Sequence, residues 1–399
     1  MELLMRTAAI VFTACLLGFV IIAGGCSNRY KLKRERLDIP SPWPFVRGEV
    51  SAVGSAPDIA FSGRLGLVWE KKTSGKPAGP LTIYHGALVF ADAKKKIRFY
   101  DLASGDHLGR LKSKGIPQTG VVIQDSIAFY SLSPKENRLY AINLLNRKVL
   151  WQTDVKDASP GSILVNSSLI VSSGQGEIAA WSLDGLRQWR FSAEGRFVGS
   201  ASFDDGQLYQ PSDRGVLYVL SPSNGNLIYQ VNLDGPLVAP VAIGRLAYAG
   251  DTEGNVYGLD PATGNVVWRT TLDGPIWTSP AVTDERVFVG HSGGQVAALD
   301  AATGRPLWTV TVDEVIKASP VAIGSTVVAA TAAGLVVSLN GVDGSVIDST
   351  RVNGSIDVPP VTDGRRVYVA TSRGKITCLG DRYEYGKQSD QRNLTEDGS

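Results

Sequence analysis

The side chains that could do chemistry in this chain are few and lie far apart. The 399 residues include three histidines and three cysteines, none adjacent to another: His85, His107, His291, Cys15, Cys26 and Cys378. Zinc sites need ligands at short, regular spacings, and these residues have no such spacing. Asp260 and Asp300 recur before Thr-Gly dipeptides, where a carboxylate caps a turn. The sequence therefore predicts no metal site, no cofactor and no catalytic residue.

Cys26 has a different predicted role because of the segment before it. An apolar run over residues 8–23 is followed by Gly-Gly-Cys-Ser at 24–27. Small residues directly before a cysteine resemble the bacterial lipobox, in which the cysteine is diacylated and becomes the mature N-terminus. We predict a signal peptide over residues 1–25 and lipidation at Cys26. The alternative is a transmembrane anchor, although the run is short for spanning about 30 Å of hydrocarbon.

Two polar segments flank the remaining chain. Residues 29–36 carry five basic side chains and one acidic one. Residues 26–60 are therefore predicted to be a lipid-anchored tether, either a solvated linker or a segment attracted to an anionic bilayer. Residues 381–399 are predicted to be a disordered polar tail. The body between them is close to neutral, which argues against a nucleic-acid partner.

The body is built from one repeated phrase. Residues 256–268 read VYGLDPATGNVVW, and residues 296–308 read VAALDAATGRPLW, 40 positions later. Self-similarity at this period is the signature of a repeat architecture. An apolar residue that opens a strand recurs eight times, at Ile97, Leu139, Ile178, Val216, Val256, Val296, Val336 and Ile376. Each interval holds four short strand patterns separated by turn residues, which predicts one propeller blade.

A second marker shows how the blades are arranged. A position that closes each fourth strand recurs at Trp69, Gly109, Trp151, Trp189, Tyr229, Trp268, Trp308 and Asp348. This marker appears once before the first opening strand and is missing after the last one. A closed ring explains the offset, because a strand near residues 65–71 can complete the blade begun near residues 367–379. We therefore predict an all-β fold over residues 61–380, an eight-bladed propeller of four-stranded antiparallel blades closed by the N-terminal strand.

The tryptophans at the closing positions are predicted to be structural. Each would lie between neighbouring blades and bury a large aromatic surface, with ligand stacking as the alternative. These blade anchors are Trp69, Trp151, Trp189, Trp268 and Trp308. Cys378 lies in a strand pattern and is predicted to be a small buried side chain.

The phrase Gly-x-Val-x-x-Leu-Asp-x-x-Thr-Gly-x-x-x-Trp resembles the PQQ-type propeller repeat, over about residues 65–380. Combined with a lipobox, an eight-bladed ring of this type resembles the BamB family of the outer-membrane β-barrel assembly machinery. The resemblance implies a non-enzymatic, monomeric scaffold that faces the periplasm from the outer membrane and contacts the POTRA domains of BamA. Ser27 after the lipidated cysteine is compatible with sorting to the outer membrane.

The resemblance also suggests where a partner would bind. The family uses one loop with Leu and Arg and one acidic pair, both before an inner strand. The matching places in this chain offer Arg196, Phe197, Asp234 and Leu237 as candidate contacts. More broadly, the loops near 193–199, 233–238, 272–278 and 312–318 are predicted to form the binding face, because a rigid scaffold presents its loops.

Two other functional classes compete with the scaffold. An envelope sensor could bind a ligand at the mouth of the central channel. A quinone-dependent dehydrogenase would need a bound cofactor, and the resemblance would also demand a vicinal cysteine pair that this sequence lacks.

Overall fold

A computed structural model describes residues 52, 54–56, 61–117, 120–132, 135–156, 158–312 and 314–381, without the side chains of 159–161. The predicted signal peptide, the lipidation site at Cys26, nearly all of the tether and residues 382–399 of the predicted tail lie outside this description. Within it, no helix is long and apolar enough to cross a membrane.

The described chain forms eight sheets of short strands, which pair antiparallel except where β1 pairs with β27. Two strands come before the first complete blade, β1 (Ser55–Ala56) and β2 (Leu67–Lys72). The blades follow in chain order.

Blades 1 to 4 comprise β3 (Thr82–Tyr84), β4 (Ala87–Asp92), β5 (Lys96–Asp101) and β6 (His107–Lys112); β7 (Val122–Gln124), β8 (Ile127–Ser131), β9 (Arg138–Asn143) and β10 (Val149–Asp154); β11 (Ala158–Val165), β12 (Ser168–Ser173), β13 (Glu177–Ser182) and β14 (Arg187–Ser192); β15 (Ser202–Asp204), β16 (Gln207–Pro211), β17 (Val216–Leu220) and β18 (Leu227–Asn232).

Blades 5 to 8 comprise β19 (Ala242–Ile243), β20 (Ala247–Gly250), β21 (Asn255–Leu259) and β22 (Val266–Thr271); β23 (Ala281–Val282), β24 (Arg286–His291), β25 (Gln295–Asp300) and β26 (Pro306–Thr311); β27 (Val321–Ile323), β28 (Thr326–Ala330), β29 (Leu335–Asn340) and β30 (Val346–Arg351); and β31 (Val361–Thr362), β32 (Val367–Ala370) and β33 (Lys375–Leu379), completed by β2.

The eight sheets form a closed ring. First strands of neighbouring blades contact one another, as β19 contacts both β15 and β23, and β31 of blade 8 contacts β3 of blade 1, so the first strands surround the central axis. The second and third strands are almost wholly buried, as in β4 and β21, because they pack against the blades on both sides. The predicted eight-bladed propeller is confirmed.

The N-terminal strand closes the ring, as predicted. β2 pairs antiparallel with β33, with Leu67 opposite Leu379 and Lys72 opposite Lys375. The ammonium group of Lys375 lies 2.6 Å from a carboxylate oxygen of Glu70 across this pair. Because β2 is the outermost strand of blade 8, the two ends of the described body are joined in one sheet.

The five tryptophans at the closing positions share one geometry. Each indole N–H donates to a main-chain carbonyl of the next blade: Trp69 to Leu102 (3.3 Å), Trp151 to Leu183 (2.7 Å), Trp189 to Pro222 (2.7 Å), Trp268 to Ala301 (3.1 Å) and Trp308 to Gly341 (3.1 Å). The indole also covers a glycine in the turn between the third and fourth strands of that next blade. At Gly304, for example, an added Cβ would lie 2.4 Å from the ring of Trp268.

Two closing positions, Gly109 and Asp348, have no aromatic ring, each for a physical reason. Arg147 occupies the left-handed turn position in blade 2, with a φ of 64°, and the facing residue on β6 is Gly109 instead of an aromatic residue. Asp348, on β30, faces blade 8, where no turn joins β33 to β2. Instead of covering a turn, its carboxylate accepts the main-chain N–H of Leu65 at 2.9 Å. A large ring is therefore present only where the next blade offers a turn with glycine.

We expect Trp268→Ala to lower the free energy of unfolding by about 3–5 kcal/mol, as for other buried aromatic truncations. The side chain is 7% exposed, whereas Trp277 is 50% exposed and provides a matched control. Urea denaturation of both variants checks this. Equal losses for Trp268→Ala and Trp277→Ala would contradict the interblade role.

Two glycines allow the stability cost of backbone strain to be measured separately from the cost of a packing collision. Gly304 and Gly206 have φ values of 71° and 75°, but an added Cβ at Gly206 meets nothing within 4 Å. Gly206→Ala should cost only the left-handed penalty, about 1–2 kcal/mol. Gly304→Ala should cost about 1–3 kcal/mol more, because the methyl group collides with Trp268. Thermal and urea unfolding measure both, and equal costs would show that the indole is easily displaced.

Candidate functional site

One end of the ring carries every connection from a fourth strand to the next first strand. We call this end the loop face. The described residues of its connections are 73–81, 113–117, 120–121, 155–156, 193–201, 233–241, 272–280, 312, 314–320 and 352–360. The turns between second and third strands lie at the same end, because successive strands of a blade run in opposite directions.

The backbone of these connections is held on both sides. In the connection after blade 5, the N–H of Leu272 donates to Gly254 (2.8 Å) and the N–H of Ile276 to Asp251 (3.0 Å) of the same blade. The carbonyl of Pro275 accepts the N–H of Ser292 in blade 6 at 3.0 Å. The connection after blade 4 repeats all three bonds. Such loops are preorganised, so binding a partner costs little ordering entropy.

Each of these hydrogen-bonded loops also buries one large apolar side chain. These residues are Phe197, Leu237, Ile276, Ile316 and Ile356, all at most 1% exposed. Ile276 and Ile316 lie over glycines, since a Cβ at Gly250 or Gly290 would lie 2.6 Å from them.

This burial corrects two of the predicted partner contacts. Phe197 and Leu237 are exposed by only 0% and 1%, so their side chains pack inside the ring and present no surface to a partner. The sequence interpretation treated apolar loop residues as exposed, whereas the repeat uses this loop position to fill the space beneath the loop.

The two polar candidates, Arg196 and Asp234, remain at the surface. The main-chain N–H of Arg196 donates to a carboxylate oxygen of Asp213 at 2.7 Å, and its guanidinium Nε donates to the carbonyl of Gly174 at 3.2 Å. Asp234 forms an ion pair with Arg269. Both side chains thus mark the polar rim of the loop face, on neighbouring connections.

A buried carboxylate supports the rim beneath Asp234. Asp251 is fully buried and accepts four hydrogen bonds, from the N–H groups of Glu253 (3.0 Å) and Asn255 (2.8 Å), the amide of Asn255 (2.9 Å) and the hydroxyl of Tyr257 (2.8 Å). Burial, with the bond to Asp251, raises the pKa of the Tyr257 hydroxyl above its usual range. The phenol therefore stays protonated and keeps donating.

Glu314 forms the ion pair equivalent to Asp234–Arg269 two connections further along the ring, with Arg351. One carboxylate oxygen accepts the hydroxyl of Thr331 at 2.5 Å, and the other accepts the guanidinium of Arg351 at 2.5 Å. The hydrogen bond from Thr331, followed by the one from Arg351, lowers the pKa of Glu314 below its ordinary value.

The largest exposed apolar side chain on the loop face is Trp277. It is 50% exposed and follows buried Ile276 directly, and Val315 on the next connection is 40% exposed. Sequence reasoning singled out the loop 272–278 but missed this residue. The available signal was a tryptophan outside the closing position of the repeat, where the other copies have Val238 and Lys317.

The residues considered for chemistry are not brought together. In the described parts of the chain, no group of three or more His, Cys, Asp or Glu side chains could hold a metal ion. Burial raises the pKa of the Cys378 thiol to about 12. Burial also lowers the pKa of His291, whose Nδ1 accepts the N–H of Gly293 at 3.1 Å. Asp260 and Asp300 cap their turns, each accepting main-chain N–H groups two and three residues later.

We expect Thr331→Val to raise the pKa of Glu314 toward its ordinary value of 4.5. A carboxylate whose pKa is lower in the folded than in the unfolded protein stabilises the fold at pH values above its unfolded pKa. The loss of stability caused by Thr331→Val should therefore be full above about pH 4.5. It should shrink as the pH falls through the depressed folded pKa.

Urea denaturation between pH 7 and pH 3, with carboxyl NMR titration, measures this. Thr371→Val is the matched control, because Thr371 occupies the equivalent turn position and its buried hydroxyl has no hydrogen-bond partner among the described residues. The same pH dependence in both variants would contradict the assignment.

Several solved structures have a similar fold. BamB from Moraxella catarrhalis superposes with a TM-score of 0.71 at 17% identity, covering 79% of this chain and 100% of that one. A quinohemoprotein alcohol dehydrogenase from Comamonas testosteroni also superposes with a TM-score of 0.71, at 12% identity, covering 85% of this chain and 80% of that one. The computationally designed Ika8 protein gives 0.70 at 14% identity, covering 80% and 100%. At such identities the likeness establishes the propeller fold alone.

Comparison of the sequence with known proteins and families adds to this structural likeness. A search of curated proteins found no significant match. A family model described as "Outer membrane protein assembly factor BamB" matches residues 59–184, 174–245 and 213–392, which together span most of the chain. The chain therefore belongs to the BamB family of outer membrane protein assembly factors.

Proposed function

We propose that this chain is a non-enzymatic periplasmic scaffold that assists the assembly of β-barrel proteins into the outer membrane by binding a protein partner at its loop face. The observation that carries the proposal is Trp277, half exposed on a loop whose backbone is hydrogen-bonded on both sides. Membership of the assembly-factor family indicates the process in which the partner takes part.

The physical character of the loop face favours a protein partner. Interface energy is concentrated in a few large side chains, with tryptophan and arginine enriched among them. Trp277 and Val315 supply apolar area, and Ile276 and Ile316 beneath them keep the loops in place. Arg196 and the Asp234–Arg269 ion pair add polar groups on other parts of the same face, and such groups can exclude water from the centre of a contact.

The family and the sequence support a proposal for the partner and the location. We propose the POTRA domains of BamA as the partner, with Arg196 and Asp234 as polar contacts on the same loop face as Trp277. Lipidation at Cys26 would hold the protein on the outer membrane, facing the periplasm. Within that complex the chain would act as a monomer, because the propeller has no unfinished blade in its described part.

The fold likeness to quinohemoprotein dehydrogenases favours a second candidate, an oxidoreductase. The three cysteines of the chain lie at positions 15, 26 and 378, so it has no vicinal pair of the kind that the repeat resemblance associates with such enzymes. Reduction of a redox dye by an alcohol after addition of quinone and calcium would establish that activity and displace the scaffold proposal.

Trp277→Ser should weaken binding to the POTRA domains at least tenfold, because removing a central aromatic residue typically costs about 2 kcal/mol or more. Leu186→Ser is the matched control. Leu186 is 68% exposed but lies in the turn between β13 and β14, at the opposite end of the ring. Isothermal titration calorimetry with the purified domains measures both. An unchanged affinity for Trp277→Ser, or equal losses in the two variants, would overturn the proposed surface.

A further inference from the structure

One sheet of the ring has a strand that the propeller does not need. β1 adds to the inner edge of blade 7, giving the order β1-β27-β28-β29-β30, while the other seven sheets have four strands each. It pairs parallel to β27, with Ser55 opposite Ala322 and Ala56 opposite Ile323. Since β27 belongs to the inner circle of strands, β1 lies on the channel side of blade 7.

The contact is made mainly by the backbone. The N–H of Ala322 donates to the carbonyl of Gly54 at 3.0 Å, and the N–H of Gly324 donates to the carbonyl of Ala56 at 3.3 Å. The paired residues, Ser55 and Ala56, have small side chains. Ala56 is 8% exposed and joins the apolar cluster that contains Val321 and Ile323. The edge therefore recognises an extended backbone with a small residue at the inward position.

The chain just after β1 is held by much larger groups. Phe61 and Leu65 are 6% and 2% exposed in the same apolar cluster. The carbonyl of Gly63 accepts the hydroxyl of Ser338 at 2.5 Å, and the N–H of Leu65 donates to Asp348 at 2.9 Å. Residues 61–72 are therefore tied to blades 7 and 8 by contacts that do not involve β1.

We propose that the channel edge of β27 is a strand-binding site, occupied in the resting protein by residues 54–56 and able to take an extended, small-residue segment of another polypeptide in their place. Binding would add a strand in parallel register through the N–H groups of Ala322 and Gly324. This site is separate from the loop-face surface around Trp277, so each can fail without the other.

The test uses the full chain and a fluorescent peptide with the sequence of residues 50–60, VSAVGSAPDIA. Ala56→Asp places a charge in the apolar cluster and should expel the resident strand. Ser55→Asp is the matched control, because Ser55 is partly exposed and carries the same new charge one residue away. A tethered strand competes at an effective concentration on the order of mM. The peptide should therefore bind Ala56→Asp at least tenfold more tightly than it binds either the parent or Ser55→Asp.

Two further measurements keep the proposal testable. A peptide with aspartate at the position of Ala56 should not bind the Ala56→Asp protein, and equal binding of both peptides would place the contact elsewhere and overturn the site. Hydrogen exchange of the unmodified protein at the amides of Ala322 and Gly324 covers the case in which Ala56→Asp does not fold. Those amides should exchange well before the core strands β28 and β29. Exchange only through global unfolding would show that β1 is not displaceable and would overturn the proposal.

Discussion

A bulky ring on the last strand of one blade requires a turn without a side chain in the next blade, and the architecture of this protein depends on that constraint. Trp268 and Gly304 illustrate it, because the indole fills the space that any Cβ at Gly304 would need. The same indole donates its N–H to the following blade, so its burial leaves no polar group unpaired. Repeated round the ring, this pairing fixes the distance and tilt between blades and leaves the period of about forty residues in the sequence.

The two junctions without the pairing show how the ring is completed. At Arg147 the turn keeps a side chain, and the facing strand has Gly109 instead of an aromatic residue. At Asp348 the neighbouring turn is missing, because blade 8 is assembled from the two ends of the body. A carboxylate that accepts the N–H of Leu65 replaces the ring there. Closure thus ties the N-terminal segment into blades 7 and 8 and gives the loop face a rigid frame.

The sequence predicted the features that repeat and missed those that occur once. Blade number, strand order and closure by the strand containing Trp69 follow from periodicity, since every copy reports the same environment. β1 has two small residues and no alternating pattern, so nothing in its sequence marks a strand. Phe197 and Leu237 were misassigned to the surface, because an apolar loop residue can point either way and only the packing over the adjacent blade decides. Trp277 was missed because the tryptophans of this sequence were interpreted as structural residues of the repeat.

The proposed function requires that the loop face contacts a partner through Trp277. A photoreactive amino acid at position 277, introduced in the native envelope, tests this contact directly, with position 186 at the opposite end of the ring as the comparison. We expect position 277 to crosslink to a component of the outer-membrane assembly machinery and position 186 not to. Crosslinking to that machinery from position 186 and none from position 277 would contradict it.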